Sequence, residues 1–131
     1  MTDTVKERPI DFRIFKDLDF PQVTIAAGET ILAPGEDGAV MCMVRSGEVQ
    51  VLVDGMPVED IGPGGIFGEM SLIEGGPRSA RVVAKTVVEL VPLDERQFIT
   101  LVARVPHFSL LVMRAMARRI RRMNQRLSDV A

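Results

Sequence analysis

Between the runs Glu48–Val53, "EVQVLV", and Met56–Ile61, "MPVEDI", stands the dipeptide Asp54-Gly55. A two-residue hairpin turn that matches strand twist needs positive φ at both central positions, and Asp-Gly supplies this with little strain. Two antiparallel strands therefore meet here, and similar punctuation recurs on either side. Ser46-Gly47 joins "VMCMVR", Val40–Arg45, to "EVQVLV", and Ala33-Pro34-Gly35 breaks the earlier "ETIL" run. Beyond a glycine-rich stretch, "ARVVA" (Ala80–Ala84) and "VELVPL" (Val88–Leu93) supply two further strands. Short strands at this spacing predict a mainly β fold, an antiparallel double-stranded β-helix or jelly-roll β-roll, over residues 23–93.

The period then changes. Asp94 followed by Gln97 reads as a capping box opening a helix, "DERQFITLVAR". Pro106 stops that helix and suits the first turn of a second, "HFSLLVMRAMARRIRRMNQRLS". There Met113, Met116, Ala117, Ile120, Met123 and Leu127 recur at three- and four-residue steps as one apolar stripe, with the arginines mostly off it. The expected plan is a single domain over 1–131: an N-terminal segment 1–22 with at most a short helix before Pro21, the roll 23–93, and C-terminal helices 94–128.

A chain of 131 residues, 47% hydrophobic and 26% charged, is large enough to bury a core without staples. The lone Cys42 makes no internal disulfide, and no Cys/His zinc pattern is present. The charged start, "MTDTVKERPIDFR", has no signal-peptide core, and no apolar run approaches a bilayer span, so the expected location is the cytoplasm. Charge is divided unevenly. Residues 107–131 carry six Arg against Asp129, a balance of +5, and the other 106 residues carry ten basic and seventeen acidic side chains, a balance of −7. Nucleic acid, an acidic lipid surface, or an acidic body touching a basic helix would each account for that division.

The stretch "GGIFGEMSLIEGGPRSARVVA", Gly64–Ala84, carries the chemistry. Its glycines allow close backbone approach to a bound group. "FGEMSLIE" is long enough for one or two helical turns, whose first amides favour an anion. Arg78 offers a planar fork to two phosphate oxygens, and Ser79 with the Ala80 amide can donate to the same group. Glu69 accepts only, so it suits a ribose hydroxyl. A phosphate plus a ribose hydroxyl describes a nucleotide of low charge. As a surface ion pair, Glu69 and Arg78 would contribute about 0–1 kcal/mol and give no reason for the glycines around them.

"FGEMSLIEGGPRSA" resembles the phosphate-binding cassette of the cyclic-nucleotide-binding domain family, the sensor of catabolite-activator-type transcription factors, cyclic-nucleotide-dependent kinases and gated channels. "AAGETILAPGEDGAVMCMVRSGEVQV" and "VELVPLDERQF" extend the resemblance over roughly residues 23–105, with Cys42 where an aromatic is more usual. The resemblance implies that Gly68 and Glu69 meet the ribose 2′-hydroxyl and that Arg78, Ser79 and Ala80 meet the phosphate. It implies that Leu72 is the apolar hinge contact, that Ile66 and Val82 wall the base, and that Phe67 and Met70 complete the ligand-facing set. The helix after the roll is then a lid whose position is the signal.

The expectation is a stand-alone receptor for cAMP rather than cGMP, without catalysis or metal, forming a homodimer through its last helix and acting on an effector protein. A ligand-independent interaction module using the basic helix is the alternative. His107 is the only histidine, which argues against a cupin-like metal site, and no nucleophile–base pair is apparent. Residues 109–131 contain no aromatic, which argues against nucleic-acid binding.

Overall fold

In the computed structural model, residues 20–36, 38–75 and 80–130 are described, with side chains as far as residue 125. The expected N-terminal helix lies outside them. Among the described residues eight strands form in chain order: β1 (Val23–Ile25), β2 (Thr30–Leu32), β3 (Val40–Ser46), β4 (Val49–Val53), β5 (Met56–Ile61), β6 (Ile66–Phe67), β7 (Arg81–Ala84) and β8 (Val88–Asp94). They build two antiparallel four-stranded sheets, ordered β1-β8-β3-β6 and β2-β7-β4-β5, which is the expected roll. Helix α1 (Glu69–Glu74) interrupts the strands, and α2 (Glu95–Arg104) and α3 (His107–Val130) follow them.

Turn chemistry sets the strand ends. Asp54 and Gly55 have φ of 52° and 76°, so the β4–β5 hairpin has positive φ at both turn residues. Gly47, between β3 and β4, has φ of 84°, and a Cβ there would lie 2.2 Å from the Val87 carbonyl oxygen. Only glycine fits that approach.

The side chains of β3 alternate between two cores. Cys42 and Val44 face the space between the sheets, where Val49, Ile61, Phe67, Val82, Ala84, Val88 and Leu90 are buried. Met41 and Met43 face the helices and join Ile66, Val91, Leu93, Leu101, Phe108 and Val112. Each Val, Leu, Ile, Phe or Met among them contributes about 1.5–3 kcal/mol by leaving water.

Asp94 caps α2 with both arms of a capping box: its carboxylate accepts from the Gln97 amide at 2.8 Å, and its own amide donates to the Gln97 side chain at 2.9 Å. The chain turns by 120° between α2 and α3. Phe98 and Phe108 hold the corner, with ring centroids 5.7 Å apart.

The packed face of α3 lies beside the apolar stripe read from the sequence, not along it. Phe108 and Val112 are buried and Leu111 and Ala115 pack beside them, whereas Met113, Ile120 and Met123 are each more than half exposed. Docking is decided by the large aromatic at the α2–α3 corner, and this turns Met113 and Ile120 outward. Met116 packs against the helical core.

Candidate functional site

The site begins at β6. Its two residues pair with β3 (Cys42 with Phe67, Met43 with Ile66), so alternation must send them to opposite faces. Ile66 enters the helical core and Phe67 the inter-sheet side. Ile66, expected in the wall of the site, thus faces away from it and Phe67 faces in, because parity in a two-residue strand allows only one of them to face inward. Gly68 follows with φ 78° and ψ 4°, a left-handed turn that starts α1 and directs Glu69 inward. Glu69 is 1% exposed and is the buried charged residue among those described.

In front of Glu69 lies a cavity of about 500 Å³, within the usual range for small-molecule sites. Leu32, Val51, Val53, Val58, Phe67 and Val82 make its apolar walls. Gly68, Glu69, Met70, Ser71 and Ala80 line it from the cassette, and Arg119, Arg122 and Met123 of α3 cover it. Glu59 reaches it from β5. Of the residues expected from the sequence, Gly68, Glu69, Met70, Phe67, Ala80 and Val82 come together here. Leu72, expected as a hinge contact rather than a lining residue, packs against the helical core. Arg78 and Ser79 lie outside the described residues.

Three residues that the sequence did not single out organise the polar part. The Arg119 guanidinium donates through Nε to Glu59 Oε1 at 3.0 Å and through Nη2 to the Ile66 carbonyl at 2.9 Å. Its Nη1 donates to Glu69 Oε1. Arg122 donates to Glu59 Oε2 at 2.7 Å. The basic helix therefore meets an acidic body, one of the arrangements that the charge division allowed. Following the buried face of α3 would have found the arginines. Phe108, Val112, Ala115, Arg119 and Arg122 succeed one another at four-, three-, four- and three-residue steps, so they share one side of the helix.

Glu59 owes its place to an irregularity in the β4–β5 ladder. Val51 pairs with Glu59 but Leu52 pairs with Pro57, so Val58 is an extra residue. A regular strand would send Val58 and Glu59 to opposite faces; the bulge lets both reach the cavity.

The sequence profile of the cyclic nucleotide-binding domain matches residues 22–105. The chain belongs to that family. This cyclic nucleotide-binding domain is 33% identical over 118 residues to a CRP-like cAMP-activated global transcriptional regulator of Mycobacterium tuberculosis, covering 86% of the chain and 50% of the relative. It thus spans about half the length of the curated relatives it matches. Among solved structures it is similar to the catabolite activator protein of Thermus thermophilus, with a TM-score of 0.74 and 29% identity over 89% of this chain and 62% of that one. The N-terminal domain of a transcriptional regulator from Streptomyces coelicolor has a TM-score of 0.63 and 30% identity, covering 98% of this chain and 97% of that one. Among the domain's described residues no group of three or more His, Cys, Asp or Glu could hold a metal ion, and no single helix is long and apolar enough to cross a membrane.

Proposed function

We propose that this domain is a cytoplasmic cyclic nucleotide receptor, selective for cAMP over cGMP, that reports occupancy through the position of α3. The observation that carries this reading is the ion pair between Glu69 and Arg119. Glu69 is the acceptor suited to the ribose hydroxyl, and Arg119 belongs to the helix that covers the cavity. A ligand hydroxyl on Glu69 competes for, or rearranges, the carboxylate that anchors the helix. Binding then shifts the helix only by its differential affinity for the two arrangements.

In this reading the phosphate meets Arg78, Ser79 and the Ala80 amide. The purine runs along Val51, Val53 and Val58 towards α3. No catalysis is involved. The exposed Met113 and Ile120 face a second copy of the same helix in a homodimer. The N-terminal domain from Streptomyces coelicolor, similar over nearly its whole length, supports a role inside a regulator.

Calorimetry of the purified chain with cAMP and cGMP, beside Arg78→Ala as a control, tests the reading. Saturable binding of cAMP that is lost in the control is expected. No heat with either nucleotide would end the receptor reading and leave a ligand-independent interaction module.

A further inference from the structure

We infer that Glu59 is the residue that reads the base, its carboxylate accepting a hydrogen bond from an exocyclic amino group on the purine edge. This inference rests on the receptor reading above. With the sugar on Glu69 and the phosphate at the cassette, the base falls against the edge-strand side of the cavity. The walls there, Val51, Val53 and Val58, are apolar and cannot distinguish one purine from another. Glu59 and Arg122 are the polar side chains that line this end, and Arg119 separates Glu59 from Glu69 by the width of one guanidinium.

Glu59 is built into the site. Its side chain is 15% exposed, against 52% for Arg122, so it is the sheltered member of the pair. The bulge at Val58 brings it inward, and two arginines on α3 fix its orientation. A carboxylate offers about four acceptor positions. Its three bonds to Arg119 and Arg122, one of them long at 3.5 Å, leave room for a donor from the ligand. Being acceptor-only, it favours a base edge carrying N–H over one carrying a bare ring nitrogen or carbonyl. The base-reading group thus lies on β5, outside the phosphate-binding cassette.

The test uses two pairs of 3′,5′-cyclic monophosphates, each pair differing by one amino group: adenosine against unsubstituted purine riboside, and guanosine against inosine. Dissociation constants are measured for the wild type, Glu59→Ala and Glu59→Gln. In the wild type at least one amino-bearing nucleotide should bind roughly 10- to 100-fold tighter than its partner, the range for a hydrogen bond to a charged group. Glu59→Ala should bring that ratio to within about threefold, because release of Arg119 and Arg122 affects both members of a pair alike and cancels. Glu59→Gln keeps the side-chain shape and one acceptor oxygen, and should narrow the ratio partway even if the alanine variant does not fold. Nucleotides that bind with wild-type ratios near one, or ratios unchanged in both variants, overturn the role of Glu59 and leave the receptor reading standing. A wild type that binds none of the four overturns both.

Discussion

Arg119→Ala should be among the most costly single changes on α3. The side chain makes four hydrogen bonds: two to Glu59 at 3.0 and 3.5 Å, one to the Ile66 carbonyl at 2.9 Å, and one to Glu69. Removing it leaves the Glu69 carboxylate, 1% exposed, without the guanidinium that compensates its charge. Breaking a fully buried pair costs about 3–5 kcal/mol, and because Arg119 is itself 24% exposed the low end applies, about 3 kcal/mol. Arg122 is the internal comparison. It is 52% exposed and bonds to Glu59 alone among the described contacts, so its removal should cost below about 1 kcal/mol. For a domain of this size about 1 kcal/mol corresponds to roughly 4 °C in Tm, which predicts a fall of about 12 °C against less than about 4 °C. Urea and thermal unfolding followed by circular dichroism, without added nucleotide, measure both variants. A double-mutant cycle with Glu69→Gln should give a coupling of about 1–2 kcal/mol. Equal stabilities for Arg119→Ala and Arg122→Ala, or a coupling near zero, would refute the argument that the buried carboxylate depends on the helix.

Arg78→Ala should weaken cyclic nucleotide binding at least about 10- to 100-fold while leaving the unfolding midpoint unchanged, since a hydrogen bond to a charged group contributes roughly that factor and a fork makes two; wild-type affinity by calorimetry would remove Arg78 from the site. Competition titrations on Ser79→Ala should shift the cAMP/cGMP ratio if Ser79 also contacts the base, and an unmoved ratio would leave it a phosphate ligand. Gly47→Ala places a Cβ 2.2 Å from a backbone oxygen at φ +84°, whereas Gly28→Ala at φ +87° meets nothing within 4 Å. The first should therefore cost well over the roughly 1–2 kcal/mol of left-handed backbone strain that is common to both, as read from denaturant midpoints. Hydrogen exchange of residues 107–128 should slow on addition of cAMP, and equal protection with and without nucleotide would mean that the helix is not the reporter.

Much of this arrangement could be read from local chemistry. Asp54-Gly55 marks its hairpin because few other dipeptides reach two positive φ values, and Asp94 with Gln97 marks the start of α2 because both arms of the box are encoded three residues apart. The cassette glycines and Glu69 were legible for the same reason: backbone needs are written in residue types. What stayed hidden depends on how elements meet. Six arginines lie on residues 107–131, and nothing local distinguishes Arg119 and Arg122 from the rest; the docking of Phe108 and Val112 selects them. The same docking turned Met113 and Ile120 outward. Glu59 was missed because a single extra residue in β5 shifts strand parity, and "MPVEDI" carries no glycine to announce it. Ile66 and Phe67 were ambiguous because a two-residue strand is too short to show its own alternation.

The alternation along β3, with Cys42 and Val44 on one side and Met41 and Met43 on the other, has a bearing on how a signal could leave the domain. The roll and the helical layer do not share one interior; the neighbouring strands β8, β3 and β6 are together the party wall between two rooms. If α3 slides or rotates, the contacts disturbed are those of Phe108 and Val112 with the methionine side of β3, while the inter-sheet interior around Val49, Val82 and Leu90 keeps its packing. Close-packed interiors resist small displacements, so partitioning them confines the resistance to the layer that moves. The roll-side walls of the cavity, among them Phe67 and Val82, can then hold their shape while the helix that covers them is repositioned.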